Sequence, residues 1–477
     1  MSSALKHTSA GAGLAVGAGL HAFATELYPI CRSITGHGVR ETLQRVRKHI
    51  PLTVHEVPSG ARVFDWEVPL EWNIEDAYVR NAEGTRVVDF RRHNLHLMSY
   101  SEPVATRLAL AQLRSRLFVH PHRADWIPYR TSYYQRSWGF CLRQDDLAKW
   151  REGEYEVRVD SRLAKGSLTY GECVVPGKLR AEVLLFTHIC HPSLANDNVS
   201  GIAVATALAA WLDTAPRRFT YRLVFAPGTI GSLCWLRKNE SRLGRIRHGL
   251  VLGLLGDGAS LTYKQSRRGN AEIDQVVPYV LSGSDPNHRV IPFEPYGYDE
   301  RQLCSPGFNL PVGRLTRSVN DGYPEYHSSA DDLSLLRPES LERSLQACQQ
   351  IVEVLEANRY YVNMLPKGEP QLGKRGLYGA VGGQSPAARQ QAMLWLLNQS
   401  DGVRSLVDIA ERSGLGFADL NHAATELEQA QLLREHSVKR DAVARSGAVR
   451  PATSRPVVRA IKRGRAKLQH PQPRRAK

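Results

Sequence analysis

No stretch of this 477-residue chain approaches the roughly 18 consecutive apolar residues that a membrane-crossing helix needs, so no membrane span is expected. A C-x-x-C pair is also missing. The seven cysteines (Cys31, Cys141, Cys173, Cys190, Cys234, Cys304 and Cys348) are odd in number and scattered. That pattern argues against a disulfide framework and fits a reducing, cytoplasmic setting. The apolar N-terminal stretch at 9–24 has only Lys6 before it as a charged residue, and its alanines and glycines make a poor signal-peptide core. It reads as a loose leader running into the first helix.

Acidic residues are scarce at the other end. From 437 to 477 there are 13 Lys and Arg against the single acid Asp441, so most of the formal net charge of +16 belongs to this tail. A Pro-containing, aromatic-poor segment of this kind cannot bury enough surface to fold alone. The basic charge is therefore no footprint of a folded nucleic-acid-binding face, although a tail can still touch anionic polymers without sequence preference.

What is present is an α/β pattern. Val39, Leu43, Val46 and Ile50 recur at helical spacing. Residues 52–166 carry many aromatics and short alternating runs, which predicts a β-rich inserted subdomain. Four apolar runs follow, EVLLFTH (182–188), YRLVFAP (221–227), GLVLGLLG (249–256) and LPVGRLT (310–316), separated by helical stretches such as GIAVATALAAWL. Such runs predict a mainly parallel sheet flanked by helices, with its site at the carboxyl ends of the strands. The expected division is an α/β domain at 20–51 and 167–365, the insertion at 52–166, a winged-helix module at 387–434 and a disordered tail at 437–477. Within the module, Ala410, Gly414 and Leu420 fall at the small, turn and apolar positions of a helix-turn-helix. Its second helix offers Asp419, Asn421, His422, Glu426 and Glu428, an acidic set that phosphate would repel. Sequence-specific DNA reading is therefore not expected, and a protein partner suits the module better.

The segment FTHICHPSLANDNVSG (186–201) puts His188 and Asp197 at a strand end. Asp257 and His327 add the residue types that hydrolytic zinc sites use, neutral imidazole and carboxylate on rigid strand ends.

Together with GLLGDG, YGYDERQLCSPGFNLPVG and PEYHSSADDL, this segment resembles the aminopeptidase-like zinc peptidases that carry a β-rich insertion and a C-terminal winged helix, relatives of bacterial zinc leucyl aminopeptidases. The resemblance runs from about residue 20 to 433. It implies one or two zinc ions. His188 is the implied first ligand, Asp197 the bridging carboxylate, Asp257 a further ligand and His327 the histidine of the last motif. Asp299 falls where relatives shape the substrate pocket. The implied activity is an aminopeptidase-type hydrolysis of a small peptide or amide conjugate.

Three departures stand out. Gly228 and Thr229 occupy the places where the zinc aminopeptidases carry two glutamates, the general base and a ligand to the second metal; the close aminopeptidase-like family resembles P-E-T-I-G here, so Thr229 is expected and Gly228 replaces its glutamate. Cys190 replaces the aspartate that orients the first imidazole. A missing base typically costs about 10² to 10⁴-fold in rate. Glu325 and Glu300 are the nearby acids that could substitute, each with a structural role as the competing expectation. His191, before Pro192, is expected to face solvent. A catalytically inactive pseudopeptidase that binds a metal or ligand is the rival reading.

Overall fold

A computed structural model describes residues 13–320, 322–377 and 386–436. The basic tail expected at 437–477 lies outside the described residues. Part of the leader does not: Gly13–Leu27 forms helix α1, with Leu20, Ala24 and Leu27 fully buried. One of its glycines, Gly17, serves close packing. A Cβ added at Gly17 would stand 2.8 Å from the carbonyl carbon of Pro338, where α1 meets the long helix Pro338–Ala357.

The central sheet has eight strands. In chain order they are β1 (Thr53–Pro58), β2 (Ser167–Val175), β3 (Glu182–His188), β4 (Thr220–Ala226), β5 (Ile246–Leu252), β6 (Thr262–Lys264), β7 (Arg289–Ile291) and β8 (Val312–Thr316). Their spatial order is β1-β2-β4-β3-β5-β8-β6-β7. The middle four, β4, β3, β5 and β8, pair in parallel, while β1, β2 and β6 join antiparallel toward the edges. The apolar runs seen in the sequence are thus the parallel centre. Side chains alternate between two cores: Val183 and Leu185 of β3 face one, Leu184 and Phe186 the other. Helix α2 (His37–Arg47) packs on the first face with α1 and α3 (Gly201–Leu212). Helix α3 is apolar on nearly all sides because it is buried between the sheet and its neighbouring helices.

The insertion contains a four-stranded antiparallel sheet in the order Arg86–Asp89, Glu71–Arg80, Glu154–Ala164, Val104–Ala109. Strand β1, which the sequence assigns to the insertion, instead closes an edge of the main sheet by pairing with β2. At the other end, Tyr360–Asn363 leaves the α/β domain and becomes the middle strand of a three-stranded sheet with Asp401–Ser405 and Leu433–Glu435. Helices Pro386–Gln399, Leu406–Ser413 and Phe417–Gln429 complete that unit. A Ser405–Asp408 capping box starts the second of these helices, Gly414 ends it at φ 71°, and Ala410 and Leu420 are buried between helices. The unit is docked firmly on the α/β domain. Phe417 N donates to Tyr279 Oη at 3.1 Å, Val407 N to Asn358 Oδ1 at 3.1 Å, and Arg218 pairs with Glu435 at 3.2 Å.

No helix among the described residues is long and apolar enough to cross a membrane.

Candidate metal centre

His188 is the last residue of β3, in register with Ala226 at the end of β4. Beyond it the chain turns back through Ala195–Ser200, where Asp197 and Asn198 depart from helical geometry. Asp331 holds this turn. Its oxygens accept the Asn196 and Asp197 amides at 2.6 and 3.0 Å, and the Tyr323 hydroxyl donates to it at 3.0 Å. Burial pushes the Asp331 carboxyl up to about 7. Asn198 ties the turn to β3 by donating to Thr187 Oγ1 at 2.9 Å and to the His188 carbonyl at 3.0 Å.

The carboxylate so positioned is ringed by three imidazoles. His188 Nε2 lies 2.7 Å from Asp197 Oδ1, while His327 Nε2 and His191 Nδ1 lie 3.0 and 3.2 Å from Oδ2. Burial, opposed by the bond to Asp197, pushes His188 down to about 4 and so keeps it neutral. For His191 burial works in the same direction, but Asp197 outweighs it and holds the imidazole above its ordinary value. Asp197 is itself pushed up by burial, yet the surrounding imidazoles win and hold its carboxyl well below the usual range.

Donor atoms of His188, His191 and Asp197 come within 4.8 Å of one another, and His327, partly exposed, is tied to them through Asp197 Oδ2. Two imidazoles and a carboxylate match the three-ligand donor set of a catalytic zinc site, whose fourth position stays open. The residues fit one such ion.

They do not fit a second. Gly228 has no side chain, and Thr229 N donates to Asp299 Oδ1 at 2.8 Å in the turn that starts the helix Ile230–Asn239. Asp257, the further ligand that the resemblance implies, is not brought to the cluster. Its Oδ1 accepts Ala259 N at 2.7 Å, and its Oδ2 accepts Asn196 Nδ2 at 2.7 Å and Ser318 N at 3.3 Å. The strand-end position beside His188 belongs instead to Gly253, the first residue after β5, where an added Cβ would lie 3.6 Å from His188 Cε1.

Three further expectations are corrected by geometry. Asp299 is fully buried and braces the 227–230 turn rather than lining a pocket, and burial raises its carboxyl to about 7. Glu300 is fully buried in an ion pair with Lys264 Nζ at 2.9 Å and accepts the Tyr298 amide, which takes it away from any role as a base. His191 does not face solvent: it is 5% exposed and belongs to the cluster, because Arg32 Nε donates to its carbonyl at 2.8 Å and holds the segment inward. Glu325 sits two residues before His327, where its carbonyl accepts from Ser328 in the turn that carries the histidine.

Sequence reasoning missed Tyr298. Its ring lies over His188 with centroids 3.7 Å apart, and its hydroxyl is 3.1 Å from His191 Nε2 and 3.3 Å from Cys190 Sγ. A Cβ on Gly228 would stand 2.6 Å from both Cζ and Oη of this tyrosine. The insertion also reaches the site. Tyr129 packs edge-on against His191 and His327, with centroids 5.2 and 5.1 Å away, and its hydroxyl bonds to that of Tyr133 at 2.7 Å. The H-x-x-H spacing of 188 and 191 was a usable signal for His191. Tyr298 lies in the quoted YGYDERQ segment, beside Asp299, but nothing local marked it as a neighbour of His188, and nothing marked Tyr129 or Tyr133.

A strand-end His/Asp cluster over a parallel-centred sheet, with a β-rich insertion and a docked winged helix, defines an aminopeptidase-like α/β protein. The chain belongs to the family described as Domain of unknown function (DUF4910), which matches residues 21–358, and residues 359–435 match a winged helix-turn-helix. A Clostridium acetobutylicum protein named "Putative polysaccharide biosynthesis protein with aminopeptidase-like domain" is 49% identical over 410 residues, covering 86% of this chain and 94% of its own. A crystal structure of a "putative peptidase" from Clostridium acetobutylicum superimposes with a TM-score of 0.83 at 46% identity, over 89% of this chain and 97% of that one. The zinc aminopeptidase BSAP from Bacillus subtilis shares the fold at a TM-score of 0.53 and 11% identity, over 71% of this chain and 95% of its own.

Proposed function

We propose that this chain is a peptidase-like hydrolase of small peptide or amide substrates that works around a single zinc ion held by His188, His191 and Asp197, with His327 at the open side of the site. The observation that carries this reading is the convergence of three imidazoles on the two oxygens of Asp197. A zinc ion in such a set polarises a carbonyl and makes water a better nucleophile near neutral pH.

The chain's own residues do the rest. Burial keeps His188 neutral and therefore able to donate a lone pair. His327 is the exposed edge of the group, with a third of its side chain reached by solvent, and Tyr326 stacks on it at 3.9 Å. Tyr129 and Tyr133 form the adjoining wall, so the β-rich insertion narrows the approach to short substrates. With Gly228 at the base position, the expected turnover is slow. The relative's name ties that protein to polysaccharide biosynthesis, so amide-bearing amino sugars belong in the substrate panel beside dipeptides and aminoacyl-nitroanilides.

The test is metal analysis of the purified chain combined with that panel. One zinc per chain and turnover that disappears in His188→Ala support the proposal. Two zinc ions per chain would overturn the single-site reading. One zinc with no turnover on any amide favours the second reading, a metal-binding pseudopeptidase. The observation behind that reading is that the space beside Gly228 is filled by a tyrosine ring rather than a carboxylate. The docked winged helix then serves as a protein-interaction module.

A further inference from the structure

Three departures from the aminopeptidase pattern, Gly228, Cys190 and the inward His191, meet at one side chain. Tyr298 Oη is 3.1 Å from His191 Nε2, and the other nitrogen of that ring, Nδ1, is 3.2 Å from Asp197 Oδ2. Cys190 Sγ lies 3.3 Å from the same hydroxyl and 3.3 Å from Gly228 N, so the thiol joins the phenol to the turn after β4. Any side chain at 228 would collide with the tyrosine ring. Meanwhile His188 Nδ1, which an acid at position 190 would serve in the aminopeptidases, has no hydrogen-bond partner despite its burial.

We infer that these are not separate losses but one coupled rearrangement. His191 is recruited as a metal ligand, Tyr298 is its positioning residue, and Gly228 and Cys190 are the residues that let the tyrosine stand there. A ring nitrogen that faces a metal is ordinarily oriented by a hydrogen bond to the other nitrogen, and Tyr298 supplies that bond to His191. The orienting contact has moved from the first imidazole to the second. A glutamate at 228 would displace the Tyr298 ring, so that aminopeptidase residue cannot return alone.

The inference rests on the proposed zinc site, and zinc affinity measured by competition with a chromophoric chelator separates the two. Tyr298→Phe keeps the ring and removes only the hydroxyl. Its zinc affinity is expected to fall about 10 to 100-fold, the usual scale for losing an outer partner of a ligand, with the melting curve of the apo form little changed. The visible spectrum of the cobalt-substituted protein is expected to shift in the same variant. Gly228→Ala is expected to weaken zinc binding in the native background and to have little effect on top of Tyr298→Ala, because neighbours that share one space are not additive. Unaltered zinc affinity and cobalt spectrum in Tyr298→Phe, or the same loss from Gly228→Ala in both backgrounds, would overturn the coupling while leaving the zinc site standing. A parent chain that binds no zinc sinks both.

Discussion

The ring of Tyr298 lies against the imidazole of His188, with centroids 3.7 Å apart and planes inclined by 30°. Tyr298 therefore covers one face of the candidate centre while filling the volume that a side chain at 228 would use. The turn behind it is fixed from below: Asp299, the next residue, accepts the amide of Thr229, whose φ of 61° is costly for a β-branched residue. Tyr298 and Asp299 thus set the two sides of the position where the aminopeptidases keep their base.

Gly228→Glu alone is expected to destabilise the protein by about 1 to 3 kcal/mol, the ordinary cost of overpacking a filled site, and to give no gain in turnover. In Gly228→Glu combined with Tyr298→Ala the space exists, stability is recovered in part, and, with zinc in enough excess to offset the weaker binding expected without Tyr298, amide hydrolysis rises by as much as about 10² to 10⁴-fold. Thermal melts and nitroanilide assays on the two variants check this. A gain in the single variant would show that Tyr298 yields its place freely.

Zinc added to the metal-free chain is expected to raise the melting temperature, since a ligand at about 100 times its Kd contributes about 2.7 kcal/mol to the folded state. His188→Ala and Asp197→Asn are expected to abolish that rise. Calorimetry with and without a chelator measures it, and an equal rise in the variants would place the metal elsewhere.

Burial raises the Asp299 carboxyl to about 7, so the folded state holds a proton that the unfolded chain gives up near its ordinary value. The stability this group contributes is full below the unfolded value and is lost as pH climbs through the folded one. Asp299→Asn keeps an oxygen for the Thr229 amide and cannot ionise. Its melting temperature relative to the parent is therefore expected to improve steadily from about pH 4 to pH 7, by an amount equivalent to a few kcal/mol at most. A difference that stays flat across that range would mean the carboxyl is not protonated in the fold.

The start of the winged helix's second motif helix, the end that enters a major groove in DNA-binding relatives of this motif, is bonded here to the α/β domain through Phe417 N and Tyr279 Oη. Gel shifts are expected to show no sequence preference, and whatever salt-sensitive binding the full chain has is expected to vanish when residues 437–477 are removed. Binding that survives this truncation would assign DNA contact to the folded module.

Much of the architecture was legible in the residues. The apolar runs at 182–188 and 221–227 became the parallel centre of the sheet, because a strand covered on both faces has no polar side to show. Ala410, Gly414 and Leu420 marked the helix-turn-helix, since a tight interhelical turn leaves few choices at those positions. Boundaries were less legible. Strands Thr53–Pro58 and Tyr360–Asn363 each pair with a segment on the far side of other elements, and pairing partners leave no local trace.

By itself, the sequence determined where the candidate centre sits: His188 at a strand end, Asp197 in a turn that brings it back, and a glycine at 228 where the aminopeptidases have a base. Only the tertiary structure decided which residues share that place. It turned Asp257 away because its carboxylate is used up by backbone amides and Asn196, and it drew His191 inward through Arg32. It also delivered Tyr298 from 70 residues beyond Gly228 into the space that glycine leaves. The reason is physical: periodicity and motif spacing report what a residue's near neighbours require, whereas ligand geometry depends on side chains that meet only when distant strands and loops pack.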